Sequence, residues 1–246
     1  MKIAIAGGTG VAGSATVKAV RDDGHEAVVL SRSRGIDLIS GKGLAAALAG
    51  VDVVIDTANV TTMDAAVATE FFTTATANLI NAGADAGVGH IVLLSIVGID
   101  RMPHDYYAGK IAQEKVLETS SVPWTIQRAT QFHEFAGQIF TRAKFGPFHL
   151  APRARTQPIA ARDVGERLAV LAHGEPLGRA QDIAGPREEA LDAMIKAYAR
   201  ANGHRGWIPS VSVPTAQMKG MREGLALPGT EALRAAETFE EWLAAR

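Results

Sequence analysis

The densest chemical signal in this 246-residue chain is Gly7-Gly8-Thr9-Gly10-Val11-Ala12-Gly13. Its glycines are spaced G-x-x-G-x-x-G, after an apolar run and before a helix-like stretch. Glycine tolerates positive φ in a tight turn and lets backbone N–H groups approach an anion closely. A helix that follows aims the positive end of its dipole at the same anion. The pattern suits the pyrophosphate of a dinucleotide, held by Gly7, Thr9, Gly10, Val11 and Gly13. Roughly 20 residues on, an NAD site places a carboxylate against the ribose 2′-hydroxyl. Here the chain reads Leu30-Ser31-Arg32-Ser33-Arg34, with no acid. Arg32 suits a 2′-phosphate through charge-assisted bonds, and Ser31 can add a hydroxyl, so NADP(H) is favoured over NAD. Asp37 falls on the loop expected to run past the adenine.

The elements that must hold this turn alternate along the N-terminal half. Lys2–Ala6, Glu26–Leu30, Val51–Asp56, His90–Ser95 and Trp124–Arg128 read as buried strands. Helices are expected over Val11–Asp23, Leu44–Ala49, Met63–Asp85 and Tyr106–Thr119. That alternation implies an α/β fold: a Rossmann-type, doubly wound parallel sheet with helices on both faces. After Arg128 the rhythm loosens. Phe145–Pro158 reads as an irregular connection into a strand near Gln157–Ala160. Helices follow over Arg162–His173, with Asp163 as its cap, over Glu188–Ala201, and over an amphipathic Thr230–Arg246 that buries Phe239, Trp242 and Leu243. Residues 1–131 are therefore taken as the dinucleotide-binding core. Residues 132–246 form a mixed α/β region that caps the substrate and packs back on the core.

Composition narrows the partners. The chain is 47% hydrophobic and 21% charged with a formal net charge of -1, which is ordinary for a globular protein. No basic excess attracts nucleic acid. No apolar run reaches the roughly 18 residues of a membrane span, and the N-terminus lacks the apolar stretch of a signal peptide. A cytoplasmic monomer or homodimer acting on a small molecule is expected. With no cysteine, thiol chemistry and thiolate metal sites are excluded. His133-Glu134 lacks the second histidine of a H-E-x-x-H helix, so no metal is expected.

GGTGVAG, LLSIVGID, YYAGKIAQEKVLETSSVPWTIQRATQFHEF and QPIAARDV, in this order, resemble the atypical short-chain dehydrogenase/reductases of the NmrA-like, NAD(P)H-binding group. The terminal TFEEWLAAR extends the likeness across nearly the whole chain. The resemblance implies a bound NADP(H), a small C-terminal region closing a substrate cleft, and a Ser–Tyr–Lys constellation carried by Ser95, Tyr106 and Lys110. Tyr106 and Lys110 are four apart and share a helix face. An ammonium beside the phenol would lower its pKa and make it a usable acid or base. Lys110 would also hold the nicotinamide ribose, and Ser95 would orient a carbonyl oxygen. Tyr107 is adjacent, so either phenol is a candidate to face the cofactor. Glu114, four residues past Lys110, reads as its helix partner. Thr130, Phe132 and His133 follow the fifth strand and are expected beside the substrate, with Phe135. The implied activity is NADPH-dependent reduction of a small carbonyl, enone or quinone-like compound. The same group also includes members that sense the nucleotide without turning it over, and extended relatives that are epimerases or dehydratases.

Overall fold

Five strands fall where buried apolar runs meet glycine or polar stops: β1 Lys2–Ala6, β2 Glu26–Leu30, β3 Val53–Asp56, β4 His90–Ile96 and β5 Trp124–Ala129. The computed structural model describes residues 1–146 and 148–246. All five strands are parallel and lie in the order β2-β1-β3-β4-β5. Two short segments, Ile183–Ala184 and then Leu233–Arg234, extend the sheet beyond β5, also in parallel. A further pair, Gly178–Arg179, lies along β5. The C-terminal region thus contributes strands to the sheet of the core as well as lying over it.

Helices cover both faces, because strands buried on both sides leave no face for water. On one face α1 (Val11–Asp22) and α6 (Ala161–His173) pack with Ile3, Ile5, Val20, Val92 and Leu168. On the other, α2 (Leu44–Leu48), α3 (Ala65–Ala86) and α4 (Tyr106–Glu118) enclose Leu30, Val54, Leu79, Leu93 and Leu117. A Cβ on Gly109 would sit 2.7 Å from the Ala68 backbone, so α4 lies directly on α3. A third cluster joins Ile99, Met102 and Tyr107 to α5 (Phe135–Arg142), α7 (Leu191–Ala201), α8 (Ala216–Arg222) and α9 (Phe239–Ala244).

The C-terminal part departs from its sequence reading in three places. The expected helix over Thr230–Arg246 is confined to α9, where Thr238 and Glu241 form a capping box; the residues before it are spent on sheet pairing at Leu233–Arg234. The strand expected near Gln157–Ala160 lies at Arg155–Thr156, antiparallel to Glu189–Ala190, and Ile159 makes only an isolated bridge to Phe132. Asp163 does not cap α6: Ala160 occupies that position, and Asp163 sits in the first turn against Arg162. Within the expected connection Phe145–Pro158, Pro147 lies outside the described residues. Among the described residues no helix is long and apolar enough to cross a membrane.

Candidate active site

The sheet changes winding direction between β1 and β3, and the crevice outside the carboxyl ends of such strands is where open α/β sheets bind ligands. There the glycine turn is built to contact. Gly7 has φ +70°, and a Cβ on it would meet Thr57 O at 2.7 Å. A Cβ on Gly13 would lie 2.1 Å from Gly7 O. Gly10 caps α1 without any side chain accepting from the first turn, so that helix start keeps its N–H groups for a ligand. This cradle, which a side chain would fill, fits a pyrophosphate. Arg32 and Ser33 are exposed on the turn after β2, and Ser31 Oγ pairs with Ser33 Oγ at 2.9 Å. Arg32 makes no ion pair among the described residues and stays free for a phosphate. Asp37 closes its own loop, accepting from Ile39 N at 2.9 Å and Ser40 Oγ at 3.0 Å, which hold its carboxyl below the usual range.

A cavity of about 500 Å³ opens from this turn along the strand ends. The start of α1, the loop from Thr57 to Met63, the end of β4, and Tyr106, Tyr107 and Lys110 on α4 line it. So do Thr130, Gln131, Phe132 and Phe135, with Gln138 and Arg142 from α5 and Gln217 from α8. His133 does not. Its ring is buried against Phe239 and Trp242, at centroid distances of 5.6 and 5.5 Å, where the C-terminal helix packs over it. Burial also lowers its pKa.

Ser95, Tyr106 and Lys110 all line the cavity, yet each is tied to a different partner. The Ser95 hydroxyl, 1% exposed, donates to Glu114 Oε1. Lys110 Nζ donates to Leu94 O at 2.8 Å and to Gln113 Oε1. Gln113 passes that bond on to Asp56 Oδ2 at 3.0 Å and to Thr76 Oγ1 at 3.0 Å. Tyr106 Oη donates to Asn59 Oδ1 at 2.7 Å, and its ring meets Phe72 edge-on at 5.5 Å.

Two expectations are overturned by this wiring. The phenol of Tyr106 is not lowered by Lys110. Burial and the neighbouring Tyr107 push it upward, so it keeps its proton at neutral pH. Burial pulls Lys110 down to about 8 against the pull of Asp56 and Glu114, and raises Asp56. Nor does Glu114 serve as the surface partner of Lys110. It is buried and paired with Arg128 at 2.6 Å and Arg179 at 2.9 Å. Burial would raise its carboxyl, but bonds from Arg128 and Ser95 outweigh that and leave it below the usual range. Arg128 lies opposite Ser95 in the β4–β5 register, and it reaches Asp100 as well. Burial would weaken this guanidinium, and its two carboxylate partners raise it instead.

Sequence reasoning missed Asp105. It has φ 52° without being glycine, a backbone state of order 1–3 kcal/mol above the ordinary one. It immediately precedes α4 and so fixes how Tyr106 and Tyr107 enter the cavity. Aspartate is among the residues that most often take positive φ, but its type alone does not say which aspartate does so. Among the described residues no group of three His, Asp or Glu side chains is placed to hold a metal.

A family model described as NAD(P)H-binding matches residues 7–169, more than half of the chain. The chain belongs to this NAD(P)H-binding family. No curated protein matches it. Its fold is that of several solved structures. An NADPH-dependent quinone oxidoreductase from Escherichia coli, complexed with NADPH, superposes with a TM-score of 0.75 at 19% identity, covering 99% of each chain. The triphenylmethane reductase of a Citrobacter species, complexed with NADP(H), gives 0.71 at 16%, covering 100% of this chain and 99% of its own. A UDP-N-acetylglucosamine 4-epimerase from Bacillus cereus gives 0.71 at 16%, covering 100% and 96%.

Proposed function

We propose that the protein is an NADPH-dependent oxidoreductase that reduces a small carbonyl, enone or quinone-like compound. The observation that carries this reading is one continuous cavity, from the open start of α1 to the aromatic wall of Phe132 and Phe135. It has room for a flat acceptor beside a nicotinamide. The family membership supports the dinucleotide, and the unpaired Arg32 supports its 2′-phosphate. Two similar structures, one named a triphenylmethane reductase and one an NADPH-dependent quinone oxidoreductase, were solved with NADP(H) or NADPH.

When bound, NADPH supplies a hydride. The chain's own groups do the rest. The backbone N–H groups at the start of α1 neutralise the pyrophosphate and fix where the nicotinamide end falls. Lys110, anchored by Leu94 O and Gln113, holds a positive charge at the cavity wall below a pH of about 8. Tyr106 keeps its proton at Oη, where it is given to Asn59 Oδ1, and would serve as proton donor by turning that hydrogen to an oxygen that gains charge. Ser95 holds Glu114, so its proton is not offered to the substrate. The aromatic wall excludes water from the reacting carbon.

NADPH consumption is followed with a panel of ketones, enones and quinones. Turnover with at least one class, lowered in Tyr106→Phe, is the expected result; NADPH stable against every class would overturn the reading. A second reading draws on the separate partners of Ser95, Tyr106 and Lys110, which are not hydrogen-bonded to one another. It is a nucleotide sensor, and it requires tight NADP(H) binding with no turnover. An epimerase that keeps its cofactor would leave added NADPH unconsumed while converting a sugar nucleotide.

A further inference from the structure

Two cations line the cavity, Lys110 and Arg142, and among the described residues no carboxylate does. Lys110 is answered inside the fold: it donates to Leu94 O and to Gln113, whose amide leads on to Asp56. Arg142 is not. It stands exposed in the last turn of α5, and among the described residues no ion pair or hydrogen bond holds its guanidinium. Other exposed arginines of the C-terminal region are spent on carboxylates, as Arg155 is on Glu188 and Arg187 on Glu189. Helix α5 itself contains no acid, and Glu134 just before it turns to α9, where Trp242 donates to it. A cation at a helix end gains a little from the dipole, but that gain needs no place on a cavity wall.

The helix itself says what this charge faces. Phe135, Gln138 and Arg142 are three and four residues apart, so they share one helix face, and all three line the cavity. The half-buried Gln138 amide has no hydrogen-bond partner among the described residues, so it can turn its NH2 to the same anion. Two helical turns set Arg142 about 10 Å beyond Phe135, and its side chain leans back toward the helix start. One ring fits between the aromatic wall and the guanidinium. Building on the reductase reading, we propose that the acceptor is anionic: a flat carbonyl compound with a carboxylate across the ring from its reducible group. Arg142 is the specificity-determining residue, gripping that carboxylate with its planar fork of donors while Gln138 adds another. The substrate's charge is thus read by the C-terminal region, while the glycine turn holds the nucleotide.

The test compares 4-formylbenzoate with 4-formylbenzamide, its neutral counterpart of nearly the same shape. Dissociation constants are measured by ligand-detected NMR on the full chain loaded with NADP⁺, and KM and kcat are measured with NADPH. The comparison rests on Kd and KM, because the two substituents withdraw electrons differently and kcat carries that difference. The acid binds about tenfold more tightly, the scale of hydrogen bonds to a charged group, and the ratio shrinks at high salt. The preference disappears in Arg142→Met, which keeps the apolar stem, and is partly kept in Arg142→Lys, which keeps the charge without the fork. NADP⁺ affinity is unchanged in both variants. A wild type that binds the acid no better than the amide, or a preference that survives Arg142→Met, overturns the proposal. So does a loss of NADP⁺ affinity in Arg142→Met as large as its loss of 4-formylbenzoate affinity, which assigns the arginine to the nucleotide. Turnover of both compounds with equal KM defeats the anion site and leaves the reductase reading standing. A binding preference lost in Arg142→Met, with neither compound consuming NADPH, defeats the reductase reading and upholds the anion site.

Discussion

Gly13→Ala isolates what the glycine turn does. The new methyl carbon would lie 2.1 Å from Gly7 O, 2.7 Å from Gly7 C and 2.7 Å from Gly8 Cα. The first contact falls about 0.9 Å inside the 3.0 Å floor that real Cβ atoms respect. All three atoms are backbone, so no side chain can swing away. Either α1 slides along the sheet or the turn lifts from it, and the overpacking costs about 1–3 kcal/mol. Either movement takes the N–H groups of the turn and the helix start out of register. NADPH affinity should fall at least about tenfold, or 1.4 kcal/mol. Gly24→Ala is the control. It ends the same helix with φ +79° and has nothing within 4 Å of the added carbon. It carries only left-handed backbone strain, about 1–2 kcal/mol, at the opposite end of the helix. Urea unfolding and fluorescence titration with NADPH on both variants separate the two effects: similar stability losses, with lost affinity in Gly13→Ala alone. Undiminished affinity in Gly13→Ala, or an equal loss in Gly24→Ala, would refute the assignment of the pyrophosphate to this turn.

Three other perturbations probe the rest of the site. Arg32→Ala should weaken NADP⁺ by about tenfold, the scale of a charge-assisted contact, and leave NAD⁺ unchanged; calorimetry that finds the two equally affected would remove Arg32 from the 2′-phosphate. Glu114→Ala leaves the half-buried Arg128 with only Asp100 and should cost about 3 kcal/mol in chemical denaturation. Because the folded Glu114 carboxyl lies below its unfolded value of 4.5, its stabilisation is complete above pH 4.5 and is lost as pH falls through the folded value. The gap between wild type and Glu114→Ala should therefore narrow in acid, and a gap that holds constant would contradict the pairing. Lys110 shifts in the same direction, but there the charged form is the penalised one. Its folded value of about 8 lies below the unfolded 10.5, so between those values the unfolded chain holds a proton that the folded one has released. Its burial penalty is fully present below pH 8 and is relieved as pH rises toward 10.5. The stability of wild type relative to Lys110→Met should accordingly climb across that window.

Where a segment's backbone must do something only certain residues allow, the sequence was readable. The strands β1 to β5 are uninterrupted apolar runs with glycine or polar stops, and the turn after β1 has room for nothing but glycine at 7 and 13. The side-chain wiring was not readable in the same way. Glu114 is spaced to meet Lys110 on the helix, but α4 buries that face against the sheet. There, the register that sets Ser95 opposite Arg128 brings a stronger partner within 2.6 Å. The same burial, invisible in the spacing of Tyr106 and Lys110, reversed the expected shift of the phenol. At the C-terminus, helical periodicity around Leu233 lost to two residues of sheet pairing with Ile183–Ala184, a contact between positions fifty residues apart in the chain. Gln217 shows the limit most sharply. Its residue type carries no signal, its helix is short, and it reaches the cavity wall only because α8 packs against Met102 and Tyr107. A nucleotide site made of backbone can be written in glycines; a substrate site made of side chains from distant segments is written only in the packing that gathers them.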